Sequence, residues 1–314
     1  MGPPLTQKTG KLINQYQRLT ANGINSDSIL VLVQNSTQIN KWREYLLQNL
    51  QVFGSLQIYT YWGFAQAEVE LHWNLVEKAL YGAVKTAKPT FITTEIAHYL
   101  MSLLVSDYRQ TGCLDTIGTP AQLALQIINN MNLAAMSGNY LEEPFLRILE
   151  TETDSERARA IEEALDIAQE FRKNCLESRC FDYSLVVEAY NTILLPDPEY
   201  REMLAARYQA LIMDNLEESV PAQTDLATVM LQNCISYAAF DPTGGHYRFF
   251  GADPDYAWDT LNPLYEISWC NSNPNEELAR TVTDNIKNGR VIGRCRTDVP
   301  LFTMISHDYR SENI

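Results

Sequence analysis

Apolar residues recur at helical spacing in the first segment of the chain. Leu12, Ile13, Tyr16 and Leu19 share one face of residues 10–22, and Asn22-Gly23 ends the pattern. The run Ile29-Leu30-Val31-Leu32-Val33 is instead continuous and partly β-branched, which predicts a strand buried on both faces. Asn35-Ser36-Thr37-Gln38 offers caps for a helix reaching about Leu50, and residues 56–61 form a second strand candidate. Strand, helix and strand in succession argue for a parallel α/β layer.

From residue 67 to 174 the strand signals fade and helical patterns take over. Thr119-Pro120-Ala121-Gln122 is a capping box with proline at the first helical position, and it predicts a helix reaching Met136. Thr153-Asp154-Ser155-Glu156 opens another helix, in which Ala158, Ile161, Leu165, Ala168 and Phe171 form one apolar stripe. The charged run at 156–163 reads as its solvated face. Strand-like runs return at 210–213, 235–240, 264–269 and 301–305. The order is α/β, then helices, then α/β. It suggests an α/β core with a helical subdomain inserted in the middle third of the chain.

The composition fits such a layout. The chain has 314 residues, 46% of them hydrophobic, enough for a sizeable core. No apolar run approaches the ~18 residues a membrane helix needs, and the N-terminus lacks an export signal, so a cytoplasmic setting without membrane contact is expected. Cys113, Cys175, Cys180, Cys234, Cys270 and Cys295 are irregularly spaced and read as reduced thiols. His72, His98, His246 and His307 show no metal-ligand spacing. A net charge of −15 argues against a general nucleic-acid coat while leaving room for a local groove.

Three segments carry chemistry. Gly2-Pro3-Pro4-Leu5-Thr6-Gln7-Lys8-Thr9 nearly matches GxxxxGK[ST]. In such a loop backbone N–H groups cradle phosphates, Lys8 would neutralise the β/γ oxygens and Thr9 would ligate Mg²⁺. The helix from Gly10 would turn its positive end toward them. Gln7 stands where this loop has glycine, and only Met1 precedes Gly2, leaving no lead-in strand. The second segment, Ala210-Leu211-Ile212-Met213-Asp214, is an apolar strand ending in an acid, which suits a metal ion. The third, residues 240–252, places Asp241, Tyr247, Phe249, Gly251 and Ala252 around a Pro242–Gly245 turn.

In order and spacing these segments resemble the first ATPase half of UvrD/Rep-like helicases. Asp214 matches the metal-binding acid of that family. The third segment resembles Gly-Asp-x-x-Gln-x-Ile-Tyr-x-Phe-Arg-Gly-Ala. Thr60-Tyr61-Trp62-Gly63-Phe64-Ala65 looks like the family's single-stranded DNA element, and Phe181-Asp182-Tyr183-Ser184-Leu185 like its Asp-Phe-x-x-Leu element. His307-Asp308-Tyr309-Arg310-Ser311 is similar to an Asn-Tyr-Arg-Ser near the second ATPase half, a position for which residues 264–273 compete.

The resemblance implies a RecA-like P-loop parallel sheet flanked by helices, a discontinuous core over 1–75 and 180–314 with an all-helical subdomain inserted at 76–179, ATP and Mg²⁺ as ligands, and single-stranded DNA as partner. By it, Gly2, Gln7, Lys8, Thr9 and Tyr247 would bind nucleotide, and Thr9 and Asp214 the metal. Asp214, Asn215 and Asp241 would occupy the catalytic positions, and Trp62 and Phe64 would contact DNA. The second ATPase half that completes such a cleft lies outside this chain.

Three departures bear on catalysis. Asn215 replaces the glutamate that activates water, Gly244 the glutamine that senses the γ-phosphate, and Phe250 an arginine; Glu217-Glu218 also stands for Gln-Asp. Impaired hydrolysis is therefore expected. The alternatives are an inactive helicase-like scaffold or nucleotide sensor, and an unrelated α-rich binding module.

Overall fold

The computed structural model describes residues 1, 7–49, 54–82, 88–114 and 118–268, without the side chains of Asn49 and Phe249. Gly2, Trp269 and the segments at 301–305 and 307–311 fall outside these residues.

The fold is α/β and mostly helical. Helix α1 (Lys8–Ala21) leads to strand β1 (Ile29–Leu32), helix α2 (Ser36–Asn49), strand β2 (Ile58–Tyr59), and helices α3 (Tyr61–Leu71) and α4 (Trp73–Tyr81). Strand β3 (Thr90–Phe91) precedes helices α5 (Thr94–Gln110), α6 (Pro120–Met136), α7 (Glu143–Thr151) and α8 (Ser155–Ser178). Then come β4 (Cys180–Phe181), α9 (Tyr183–Ala189), α10 (Pro198–Arg207), β5 (Ala210–Met213), α11 (Pro221–Met230), β6 (Ile235–Ala238) and α12 (Pro254–Leu261).

Four strands form one parallel sheet in the order β2-β1-β5-β6, with Leu30 beside Leu211 and Ile212 beside Tyr237. Because successive side chains point to opposite faces, the continuous apolar runs of β1 and β5 feed two layers at once. Ile29, Val31, Ala210 and Ile212 pack with Leu12, Tyr16, Trp42 and Leu46 of α1 and α2. Leu30, Leu32, Leu211 and Met213 pack on the other side with Phe64, Val187, Tyr190 and Leu226. Each such side chain contributes about 1.5–3 kcal/mol of burial, which anchors the strand ends that carry the site.

The same second cluster continues into the middle helices through Met101, Ile127 and Phe171, so sheet and middle helices share one core. The short parallel pair β3–β4 joins the two ends of this helical stretch, Phe91 beside Phe181. Thr119 forms the expected capping box at the start of α6, and Asp154 caps α8. The buried face of α8 is Ile167, Ala168, Phe171, Arg172 and Cys175, whereas Ala158, Ile161 and Leu165 are half-buried. The apolar stripe thus shifts along and around the helix, because Arg172 is taken inward by Glu188 and the Ser184 hydroxyl.

Several strand expectations need correction. Residues 56–61 give only Ile58–Tyr59, since the Thr60 hydroxyl accepts the Gly63 N–H and starts α3. Residues 264–268 form no strand: Asn262–Leu264 is a 3-10 turn, followed by irregular chain. Strand β6 stops at Ala238, two residues short of the apolar run. Among the described residues no helix is long and apolar enough to cross a membrane.

Candidate nucleotide site

The parallel strands β5 and β6 end on the same side of the sheet, and each is followed within a few residues by a buried acid. Asp214 comes directly after β5, and Asp241 lies beyond β6. Helix α1 begins at this end. Lys8 Nζ meets Asp241 Oδ2 at 3.0 Å, with side-chain exposures of 11% and 6%. Thr9 Oγ1 donates to Asp214 Oδ2 at 2.9 Å and approaches Oδ1 at 3.1 Å. Residues 205 and 233 positions apart are thereby joined. The carboxyl end of a parallel sheet is where open α/β folds bind their ligands.

Gln7 is the N-cap of α1 and sits in the left-handed region, at φ 56° and ψ 33°, without a capping side chain. That conformation costs a residue with a Cβ roughly 1–2 kcal/mol, which explains why glycine is usual at such a position. The first turn of α1 contains no acid. Its N–H groups and the helix dipole therefore face the site without a competing carboxylate from the helix itself.

Residues that sequence reasoning overlooked complete the arrangement. Trp42 Nε1 donates to Asp214 Oδ2 at 3.2 Å from within the core. Gln38 accepts the Gln34 N–H and donates its amide to Asn215 Oδ1 at 2.8 Å. Asn215 is left-handed, at φ 58°, a conformation asparagine tolerates better than glutamate. Its amide donates to Glu217 Oε1 at 3.3 Å, and Glu217 Oε2 accepts the Asp241 N–H at 2.9 Å. Glu218 accepts the N–H groups of Gly245, His246 and Tyr247 at 2.9–3.1 Å and so ties down the turn after Asp241. Gly244 is required here: a Cβ would stand 2.5 Å from Glu217 Cγ. Gly244 and the Glu217 side chain thus share one tightly packed space.

Burial raises the pKa of Asp214 and of Glu217, opposed in both by hydrogen bonds and by Lys8. A carboxyl group with a raised folded-state pKa holds its proton longer in the folded chain. The stability it contributes is full at low pH and falls as pH rises above its ordinary value, 3.8 for Asp214. Asp214→Asn should therefore become more stable relative to the parent as pH rises from about 4 to about 7, in paired thermal denaturation series. A variant less stable than the parent at pH 7 would show that hydrogen bonding outweighs the burial cost.

The remaining expected site residues are distributed differently. Tyr247 is tied to Glu218 through its backbone, while its ring is exposed and lies 5.8 Å from the Phe250 ring. Phe64 is 0% exposed, enclosed edge-on by Tyr59 and Tyr190 and packed against Tyr208, so it offers no ring face to a base. The DNA-contact expectation at Phe64 is corrected on that ground. Trp62 is half-buried and stacks on Tyr183 at 5.4 Å. The Phe181–Leu185 element has a structural reason of its own. Buried Asp182 caps α9 by accepting the N–H groups of Ser184 and Leu185. Among the described residues no three His, Cys, Asp or Glu side chains form a metal-binding group. Mg²⁺ bound with a nucleotide needs only one or two carboxylates, with phosphates and water completing the shell. In comparisons with known proteins, the chain matches no family model and no curated sequence.

Proposed function

We propose that this chain is a nucleotide-binding ATPase module of the P-loop type. It resembles the first RecA-like half of UvrD/Rep helicases and holds Mg-ATP at the carboxyl end of its sheet. The observation that carries this reading is the direct pairing of Lys8 with Asp241 and of Thr9 with Asp214 at that end. The donor set fits the ligand. Lys8 supplies a cation for phosphate oxygens, the α1 N-terminus supplies N–H groups, and Thr9 and Asp214 supply a hydroxyl and a carboxylate for Mg²⁺. Bound Mg²⁺ would neutralise charge on the phosphates. Since Asp214, Glu217 and Asp241 already crowd this end of the sheet, nucleotide binding should depend on the metal.

Hydrolysis in this reading is slow. Asn215 cannot take a proton at neutral pH, and Gly244 and Phe250 bring no polar group to the γ-phosphate. Loss of one transition-state contact typically costs ~10²–10³ in rate. The relay Gln38–Asn215–Glu217 favours a second reading, a nucleotide-sensing scaffold, because it gives Asn215 a structural task that glutamate would disturb. Single-stranded DNA and a second ATPase half are the partners implied by the resemblance.

Phosphate release from Mg-ATP, with and without a single-stranded oligonucleotide, separates the two readings. A slow rate that rises with the oligonucleotide is expected of the motor module, and an unresponsive one of the scaffold. Turnover at the ordinary ~10 s⁻¹ of enzymes would contradict impaired hydrolysis.

A further inference from the structure

Strand β6 is the outermost strand of the main sheet on its side among the described residues, and it lines a groove of about 690 Å³. The groove lies in the plane of the sheet. Leu12 of α1 walls it from the layer on one face, and Ala257 and Leu261 of α12 wall it from the layer on the other. The Ile235 N–H donates to Gln209 O at 3.0 Å and the Ala239 N–H to Met213 O at 2.9 Å, so these residues turn their backbone to β5. A parallel strand bonds to its two neighbours through alternate residues. The N–H and C=O groups of Ser236 and Ala238 therefore face the groove, which both residues line. Open sheet edges are commonly blunted by charge or proline, and Ile235–Ala238 carries neither.

We propose that Leu301-Phe302-Thr303-Met304-Ile305 of this same chain, which lies outside the described residues, docks in the groove as a further strand beside β6. The proposal does not depend on the nucleotide reading.

The chemistry of the slot and the length of chain favour this occupant. A strand covered on both faces needs a continuous apolar run, as in β1 and β5. Residues 301–305 form the longest run of apolar and strand-forming residues outside the described ones. Pro300 directly precedes them, and proline is tolerated at the start of a strand. Ser268, the last described residue, already lines the groove. Residues 269–300 then exceed the dozen or so that a parallel crossover needs. Lys8 and Lys11 line the same groove, so the docked strand also braces the helix that carries Lys8 and Thr9.

The test uses the full chain. Hydrogen–deuterium exchange read at single amides should find the Ser236 and Ala238 N–H groups protected, independently of protein concentration. Phe302→Asp places a charge in the slot and should abolish that protection and lower Tm by about 5 °C or more, whereas Phe302→Leu should keep both. Ser236→Cys, combined in turn with Phe302→Cys, Thr303→Cys and Met304→Cys, should on mild oxidation give a disulfide within one chain in at least one pair, mapped by mass spectrometry. That bond decides the matter if Phe302→Asp fails to fold. Free exchange at both amides overturns the proposal, as do protection and Tm unchanged in Phe302→Asp. Protection that grows with protein concentration, or disulfides formed only between chains, assigns the groove to a second copy and overturns it as well.

Discussion

Replacing Lys8 with alanine should weaken Mg-ATP binding and also destabilise the protein by about 3 kcal/mol, because the substitution strands a buried carboxylate. Asp241 is buried, and the Lys8 ammonium is the cation that meets its carboxylate at 3.0 Å. Glu217 reaches the Asp241 backbone, and Asp214 lies close enough to feel the Lys8 charge, so losing that cation leaves an acidic cluster less compensated. Binding and folding losses are therefore entangled in the single variant. The double variant Lys8→Met, Asp241→Asn disentangles them. It removes both charges together and should recover most of the stability, because the cost lies in the unpaired ion rather than in the pair itself. Nucleotide affinity should not recover, since no ammonium remains for the phosphates. Thermal melts of parent, single and double variants check the first part, and titration with a fluorescent nucleotide the second. Full recovery of affinity in the double variant would remove Lys8 from the binding site.

Phe64→Ala and Trp62→Ala should behave in opposite ways despite their adjacency. Phe64 has no exposed surface and its ring sits among Tyr59, Tyr190 and Tyr208. Truncating it empties an aromatic-sized space and should cost roughly 3–5 kcal/mol, enough to unfold a marginal chain. Trp62 is half-buried, and its stack on Tyr183 is worth only ~0.5–1.5 kcal/mol beyond the area it covers. Trp62→Ala should thus stay folded. If the chain holds single-stranded DNA through this element, the variant should lose ~1–3 kcal/mol of binding, about tenfold or more, with affinity falling as salt rises. Fluorescence anisotropy alongside circular dichroism reads both effects. Oligonucleotide binding unchanged in Trp62→Ala would remove this element from the DNA interface. A Phe64→Ala chain that melts like the parent would contradict the core assignment.

The contrast between those neighbours shows what residue patterns convey and what they leave out. Strands β1 and β5 were legible because parallel strands covered on both faces need continuous apolar runs, and Ile29–Leu32 and Ala210–Met213 are such runs. The capping box at Thr119 was legible because its chemistry is local. Phe64 was misjudged because the Thr60–Ala65 pattern conveys residue type, whereas its burial depends on Tyr190 and Tyr208, more than a hundred positions away. Trp42 and Gln38 were invisible as site residues for the same reason: a mid-helix Trp and a capping Gln look ordinary until β5 brings Asp214 and Asn215 beside them. Gly244 and Glu217 each looked like a separate loss. Only their spacing in the fold, where a Cβ at 244 would meet Glu217 Cγ, shows that each constrains the other.

The account turns on whether Lys8, Thr9, Asp214 and Asp241 form a nucleotide site. Three carboxylates around one lysine disfavour a bare polyphosphate, and the left-handed Gln7 gives the cradle a Cβ where glycine would approach the phosphates closely. Affinity should accordingly be modest, weaker than about 1 μM, and conditional on the metal. The most direct measurement is calorimetric titration of the chain with ATP in the presence of Mg²⁺ and again after chelation, repeated on Thr9→Val. Saturable one-site binding that needs Mg²⁺ and is weakened by Thr9→Val is the predicted result; binding indifferent to both, or none at millimolar Mg-ATP, would contradict it.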